Sequence, residues 1–371
     1  MFDPKNTIKQ LFDRAGVRVN GSNPWDIQIN DNRFYGRILR DKSLGLGESY
    51  MDGWWECDRI DQFIQRILNA GLDKSVKSRL YHILVLVATI LFNRQSKYRS
   101  HKVAKYHYNL DNNLFFAFLG SYKQYSCAFF NGVDDLDEAQ HCKMELICRK
   151  LELKAADKVL DIGSGWGGLA KFMTKHYGCS VTGINISEEQ ICFAKNDCHG
   201  LPVNFVRSDY RDINETYDKI VSVGMFEHVG HKNYLKFMDV VHRCLKPQGI
   251  FLLHTIGNNK SRTYLDPWVE KYIFPNSLLP SLRQISKAVE GRFVIEDLHN
   301  LGPHYDKTLM AWHRNFMSAW KNLKANYTER FKRMWEYYLL SSAGAFRARS
   351  IQLWQIVMTH VGSSQPKCRY G

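Results

Sequence analysis

Short apolar runs alternate with amphipathic stretches through the middle of the chain. Apolar positions at helical spacing predict helices over Asp137–Leu151 and Leu169–Tyr177. Short, mostly apolar runs predict five strands, at residues 158–162, 180–186, 203–206, 219–223 and 249–254. Strands alternating with helices in this way are typical of a doubly wound α/β domain.

The two ends of the chain have a helical pattern instead. Ile60–Leu68, Tyr305–Lys324 and Tyr327–Leu340 have helical spacing, and residues 343–354 are basic on one side and apolar on the other. Residues 80–92 are apolar on nearly all sides but too short to span a bilayer. A helix buried in the first domain is the favoured interpretation, and a helix lying against lipid is the alternative.

The domain boundary is placed in the polar, basic stretch at residues 93–105, which has no apolar period. A chain of 371 residues is long for one domain. The prediction is a smaller, mainly helical domain over residues 1–105, for lipid binding or dimerisation. A catalytic domain of Rossmann-like α/β fold would follow over residues 106–371.

A glycine-rich turn follows the first predicted strand of the α/β region. Gly163, Gly165 and Gly168 fit the spacing G-x-G-x-x-G, with Trp166 and Gly167 between the last two. Such a turn lets backbone N–H groups and a helix N-terminus approach a ligand closely. The motif is weak by itself, because a glycine-rich turn can serve packing alone.

The acidic residues around this turn favour a cationic cofactor over a dinucleotide. Asp161 precedes the first glycine by two residues, where a carboxylate would repel a pyrophosphate but suits an ammonium or sulfonium group. The acidic residue that a dinucleotide ribose requires after the next strand is missing, and Asn185 and Gln190 are the polar candidates there. Asp209, followed by Tyr210, is placed to bond an adenine amino group. The pocket is interpreted as one for S-adenosylmethionine, with NAD less favoured.

Composition limits the choice of partners only loosely. The chain has 51 basic and 37 acidic residues, a net charge of +14, which favours an anionic membrane surface or nucleic acid. Nine scattered cysteines without a C-x-x-C pair suggest a reduced cytoplasmic protein and no metal site. The first twenty residues do not resemble a signal peptide, and no apolar run reaches transmembrane length.

Six separated segments, in order, resemble the cyclopropane-fatty-acyl-phospholipid synthase family in its full-length bacterial form. The resemblance covers almost the whole chain and its most specific segments are residues 45–55, 125–128, 161–168, 224–230, 302–305 and 343–354. It implies methylene transfer from S-adenosylmethionine to a cis double bond of a membrane phospholipid. It also implies a homodimer at the inner face of the cytoplasmic membrane.

The same resemblance implies a bound bicarbonate and a set of residues around it. Bicarbonate would be held by Cys127, Glu227, His254, the Ile256 backbone and Tyr305. Two further residues, Tyr125 and Ser126, would join the cofactor site. Some relatives carry a cysteine just before residue 343, and because this chain has Ser342 there, a thiol at that position is not required if the chain is active.

Several other functions stay open from the residues alone. Cys127 and His254 would suit a cysteine hydrolase, although no oxyanion motif or orienting partner is evident. Methylation of the alkene without ring closure, methylation of a small amine and catalytically inactive lipid binding are further alternatives. Against a nucleic-acid methyltransferase, no Asn/Asp-Pro-Pro-aromatic motif follows the fourth strand.

Overall fold

The structure is a computed structural model that describes residues 3–72 and 111–370. The chain divides into two compact units. The described part of the first, the helical unit, comprises residues 3–72, 264–275 and 305–351. The described part of the second, the sheet unit, comprises residues 111–263, 276–304 and 352–370.

The sheet unit is built on seven strands with helices between them. Its strands are β3 (Lys158–Ile162), β4 (Ser180–Asn185), β5 (Val203–Arg207), β6 (Tyr217–Val223), β7 (Leu245–Asn258), β8 (Phe293–Asn300) and β9 (Ile351–His360). Its helices are α4 (Asn112–Leu119), α5 (Leu136–Lys150), α6 (Gly168–Tyr177), α7 (Glu188–Asp197), α8 (Tyr234–Cys244) and α10 (Leu282–Val289).

The order of the strands identifies where a ligand belongs. The sheet runs β5-β4-β3-β6-β7-β9-β8, and β3 pairs in parallel with β4 on one side and β6 on the other. The chain therefore reverses direction of winding at β3. Open α/β sheets bind ligands beyond the carboxyl ends of the strands at this switch point, which is where the turn after Ile162 lies.

Buried apolar residues on both faces hold this sheet together. Leu160, Ile220 and Phe251 belong to one core cluster, and Val159, Val221 and Leu252 belong to another. Neighbouring residues along one strand thus point into opposite cores. This is why consecutive residues in the middle of β3, β6 and β7 are apolar.

The helical unit contains α1 (Pro4–Arg14), α2 (Arg33–Met51), α3 (Ile60–Asn69), α9 (Pro267–Tyr272) and α12 (Glu329–Arg347), with α11 (Gly302–Leu323) from Tyr305 onward. Two short strands, β1 (Gln28–Ile29) and β2 (Trp55–Glu56), pair antiparallel. Trp55, Trp268 and Trp312 are its largest fully buried side chains. In one partly buried ion cluster, the fully buried Asp61 accepts from Arg59 and Arg347, and Arg347 also donates to Asp306.

The α/β fold class is confirmed, and so are its five predicted strands. The predicted boundary near residue 105 and residues 80–92 both lie outside the described residues. Residues 343–354 are not one amphipathic element, because α12 ends at Arg347 and β9 begins at Ile351. Arg349 between them adopts φ 56°, which turns the chain.

The length and hydropathy of the helices show whether any of them could span a membrane. Across residues 3–72 and 111–370, none of the helices combines the length and the apolar character needed to cross a bilayer.

Candidate active site

The glycine turn between β3 and α6 has the backbone conformation that only glycine adopts readily. Gly163, Gly165 and Gly167 have φ values of 89°, 54° and 83°. Gly168 has a different reason, because a Cβ there would lie 2.3 Å from the carbonyl oxygen of Tyr122. The turn is therefore shaped both for its own fold and for close approach of the loop at Tyr122.

Asp161 gives the turn its charge. It lies on β3, 2% exposed, and its Oδ2 has no hydrogen-bond partner among the described residues. Burial raises the pKa of Asp161 to about 7, against the effect of the positive Lys143. A carboxylate oxygen buried in this way is costly unless a cationic group compensates it. The observation fits S-adenosylmethionine, which carries an ammonium and a sulfonium.

Asn185 and Gln190, predicted for the ribose, lie together. The Asn185 Nδ2 donates to Gln190 Oε1 at 2.7 Å and to the carbonyl oxygen of Gly165 at 3.4 Å. Gln190 sits in the first turn of α7, which Ser187 caps. This pair is therefore attached to the glycine turn at the carboxyl end of β4.

Asp209 and Tyr210 follow β5 at the same edge. Asp209 is buried, and its Oδ1 accepts from the backbone N–H of Arg211, which makes it the cap of a short 3-10 turn. The hydroxyl of Tyr210 is buried without a hydrogen-bond partner in the described part of the chain. Capping accounts for one oxygen of Asp209, and its contact with adenine stays a prediction.

Tyr125 and Trp166 are joined through helix α4. The ring of Phe115 lies 5.2 Å from that of Tyr125 and 5.1 Å from that of Trp166. The indole N–H of Trp166 donates to Asn112 Oδ1 at 2.8 Å. Trp166 therefore packs α4 against the glycine turn. Its contact with the cofactor stays a prediction.

Glu227 lies at the carboxyl edge of the sheet, in a 3-10 turn after β6 (Phe226–His228). It is 5% exposed, and its Oε1 accepts from the backbone N–H of Ile256 at 2.6 Å. Its Oε2 is buried without a partner among the described residues. Burial raises the pKa of Glu227 to about 7. The structure thus brings Glu227 and the Ile256 backbone into direct contact, and their binding of bicarbonate stays a prediction.

His254 is a second buried group, on β7 two residues before Ile256. Its Nδ1 lies 3.3 Å from Nε2 of Gln355, and with the amide in this orientation Nδ1 accepts and the ring proton is on Nε2. That Nε2 is buried and has no partner within the described ranges. Burial, with the charges of Lys143 and Lys150, lowers the pKa of His254 well below its usual value. The ring is neutral and offers one N–H.

Cys127 is fully buried in the sheet unit, and its thiol lies 3.1 Å from the carbonyl oxygen of Ala128. Tyr305 belongs to the helical unit, where its ring lies 4.6 Å from that of Phe346. The structure thus describes four of the five predicted bicarbonate ligands within one unit and Tyr305 within the other.

The sequence analysis missed four buried polar residues around this site. Gln140 and Lys143 lie on α5, Gln124 precedes Tyr125, and Gln355 lies on β9. The sequence contained a signal for Gln140 and Lys143. Both are polar residues at helical spacing among Leu136, Met144 and Ile147, on the apolar face of α5. Gln355 had none, since its strand was not predicted.

The glycine turn gives a first prediction. Gly165→Val should abolish binding of S-adenosylmethionine, because a β-branched residue is strained at φ 54° and its side chain would project into the open space at the turn. Calorimetric titration of the folded variant measures this. Gly200→Val, at φ 79° on the surface after α7, is the matched control for strain alone. Unchanged affinity in Gly165→Val would remove the turn from the site.

A buried carboxylate beside a glycine turn repels a pyrophosphate and attracts a cationic cofactor. On a sheet of this strand order, it places the chain among the class I S-adenosylmethionine-dependent methyltransferases. The sequence model of one family, mycolic acid cyclopropane synthetase, matches residues 95–356. The chain belongs to this cyclopropane synthase family.

Individual relatives agree with this assignment. The chain is 53% identical over 350 residues to the cyclopropane-fatty-acyl-phospholipid synthase of Escherichia coli (strain K12), covering 94% of this chain and 92% of that one. It is 36% identical to a probable fatty acid methyltransferase of Pseudomonas putida, covering 94% and 90%. Among solved structures, mycolic acid cyclopropane synthase CmaA1 complexed with SAH and CTAB is 28% identical, with a TM-score of 0.66 over 70% of this chain and 97% of that one.

The enzyme class and cofactor follow from these findings. The protein is an S-adenosylmethionine-dependent methyltransferase, homologous to cyclopropane fatty acid synthases. The family predicted from the sequence is therefore confirmed. S-adenosylmethionine is confirmed as the cofactor.

Proposed function

We propose that the enzyme converts a cis double bond in the acyl chain of a membrane phospholipid into a cyclopropane ring, with bicarbonate as the base. The observation that carries this proposal is the buried pair at the edge of the sheet. Glu227 Oε2 is an acceptor and His254 Nε2–H is a donor, and both are buried without a described partner. The substrate class is the one in the name of the Escherichia coli relative, a cyclopropane-fatty-acyl-phospholipid synthase.

The reaction needs a base because of what the alkene does. S-adenosylmethionine, when bound, supplies an electrophilic methyl group on its sulfonium. The alkene forms a new bond to that methyl carbon while the carbon–sulfur pair stays with sulfur, which leaves a carbocation on the acyl chain. Loss of a proton from the new methyl group frees an electron pair that closes the ring. Aromatic faces can stabilise such a cation before closure.

The residues of the site fit bicarbonate as the group that accepts this proton. Its hydroxyl is a donor, which suits the carboxylate of Glu227, and its charged oxygens are acceptors, which suit the N–H of His254. The Ile256 backbone N–H is already used by Glu227, so it orients the carboxylate. Cys127 and Tyr305 are included among the proposed bicarbonate ligands only because the resemblance to the family implies them.

A fatty acid methyltransferase that leaves the ring unclosed is the second candidate. The Pseudomonas putida relative, at 36% identity, is named a probable fatty acid methyltransferase. Both reactions begin with the same transfer and differ in which proton leaves the cation.

Mass spectrometry of lipids from cells that express the chain tests the proposed function. Phospholipids should gain one CH₂ and lose the double bond. Lipids that gain CH₂ but still react as alkenes would favour the second candidate, and unchanged lipids would exclude both.

One face of α11 supports attachment to an anionic membrane surface. Lys307, Arg314 and Lys321 are exposed at intervals of seven residues, so they share one side of the helix, and Lys324 follows. The half-buried Met310 and Met317 lie on the same side. The one acidic residue of α11, Asp306, bonds Arg347. We infer peripheral binding of a homodimer at the inner face of the cytoplasmic membrane.

A second prediction concerns this basic face. Replacing Arg314, Lys321 and Lys324 by Gln should weaken binding to anionic vesicles by at least about tenfold, since each cation near such a surface contributes about 1 kcal/mol. Binding of the unaltered enzyme should fall with added salt. The measurement is vesicle flotation.

The matched control removes the same charge elsewhere. Lys175, Lys195 and Lys287 are exposed on helices of the sheet unit, and their replacement by Gln should change binding little. Equal loss in both triple variants would mean that net charge, rather than the α11 face, determines attachment.

A further inference from the structure

Lys143 is a buried lysine that the proposed chemistry does not yet use. It lies on α5 and is 0% exposed. Its Nζ donates to Gln124 Oε1 at 2.6 Å and to Ser126 Oγ at 3.1 Å. Both acceptors are neutral, and within the described ranges no carboxylate lies within ion-pair distance of Lys143. Burying such a charge without a counter-ion is costly, which calls for a reason.

The second buried lysine of α5 provides the contrast. Lys150 is also 0% exposed, but its Nζ lies 3.1 Å from Asp297 Oδ2. Its charge is therefore neutralised by a direct ion pair. The charge of Lys143 is not, so its field extends into the surrounding site.

The loop that Lys143 holds leads directly to the proposed anion site, because Ser126, which accepts from the Lys143 Nζ, immediately precedes Cys127. The charge of Lys143 contributes to the low pKa of His254, after burial, and Lys143 in turn responds to charge at Cys127 and Asp161. Asp161 is the nearby buried anion, and a bound cationic cofactor would compensate it. With the cofactor in place, Lys143 would remain the uncompensated charge near His254 and Cys127.

We propose that the Lys143 ammonium is the fixed cation that draws the anionic base into the pocket beside Cys127 and His254. The same ammonium holds the loop of Gln124 and Ser126 in place. This inference rests on the proposed function, in which bicarbonate is the base. Lys143 is thus a positioning residue, since its Nζ bonds the loop and acts on the anion through its charge.

The protonation of Lys143 gives the proposal a pH dependence. Burial lowers the pKa of Lys143 to about 7, against the effects of Cys127, Asp161 and Cys148, and His254, whose pKa is well below its usual value, is neutral. The ammonium is present below that pKa and lost above it. Affinity for the bicarbonate ion should therefore fall as the pH rises from about 7 to about 9.

The test measures bicarbonate binding, by calorimetry and by the rise in melting temperature, on enzyme saturated with S-adenosylhomocysteine and at constant ionic strength. Lys143→Met, which keeps the length but removes the charge, should weaken binding about tenfold or more. Lys143→Arg should retain binding, and because a guanidinium does not titrate in this range, the decline above pH 7 should disappear.

Gln140→Leu is the matched control for the loop. Gln140 lies one turn earlier on α5, is fully buried, and donates to the carbonyl oxygen of Ser126 at 3.0 Å. This change loosens the same loop but keeps the charge, so bicarbonate affinity should stay near that of the unaltered enzyme.

Four results would overturn the proposal, three by showing that the charge of Lys143 does not matter and one by removing bicarbonate itself. Unaltered affinity in Lys143→Met, or an equal loss in Gln140→Leu, would show that the charge does not matter. An unchanged pH decline in Lys143→Arg would do the same, even if Lys143→Met failed to fold. Absence of bicarbonate binding to the unaltered enzyme would instead remove bicarbonate from the proposed function.

Discussion

Glu227→Gln should lower the rate of ring formation by roughly 10² to 10⁴-fold, the effect of losing a group that assists proton transfer. The amide can keep the bond from the Ile256 N–H through its oxygen, but then its NH₂ replaces Glu227 Oε2. An acceptor becomes a donor at the position that would receive the hydroxyl of bicarbonate. Binding of S-adenosylmethionine should change little, because Asp161 and the glycine turn are untouched.

The pH dependence of turnover is a second measurement, and a change in packing alone would not alter it. Since burial raises the pKa of Glu227 to about 7, its carboxylate form is lost as the pH falls below that value. Turnover at a fixed concentration of bicarbonate ion should fall with it, and Glu227→Gln should lack this acid limb. Glu189→Gln, exposed on α7, is the control. A normal rate and bicarbonate response in Glu227→Gln would leave the base unassigned.

Asp61→Asn should destabilise the helical unit by about 2 kcal/mol at neutral pH, because it removes the buried central anion of an ion cluster whose arginines are partly exposed. Asp61 is 0% exposed and accepts from Arg59 at 2.9 Å and from Arg347. Burial alone would raise the pKa of Asp61, but the hydrogen bonds from the two arginines hold it below its usual value. Urea unfolding followed by tryptophan fluorescence measures the change.

The sign of the pH dependence follows from that lowered pKa. The stabilisation is present above the pKa of an unfolded aspartate, about 3.9, and is lost as the pH falls through the lower folded value. The difference between Asp61→Asn and the unaltered chain should therefore shrink in acid. Asp31→Asn removes the partner of the exposed Arg33 and should change stability little. Equal effects of the two variants would contradict the special role of the buried Asp61.

Local sequence determined much of the sheet and its cofactor edge. Gly163, Gly165 and Gly167 adopt positive φ values that the turn itself requires, so this part of the fold depends on local sequence alone. Asp161, Asn185 and Asp209 each follow or end an apolar run, so parallel strands bring them to one edge. Fold class, winding and cofactor could therefore be predicted, because each depends on short segments and on the regular geometry of strands.

What could not be predicted depends on distant contacts. Strand β9 is buried along most of its length, so residues 352–359 lack the alternation that identifies a half-buried strand. Residues 305–347 belong with the helical unit because Arg347 meets Asp61 across 286 positions of the chain. Lys143 lay on a predicted helix, but its importance depends on what surrounds it.

Incubation of the enzyme with S-adenosylmethionine carrying a trideuterated methyl group, and with vesicles of an unsaturated phospholipid, tests methylene transfer most directly. We predict that the product lipid lacks the double bond and retains two deuterium atoms, because one leaves with the base when the ring closes. A product that retains all three would contradict ring formation and identify simple methyl transfer.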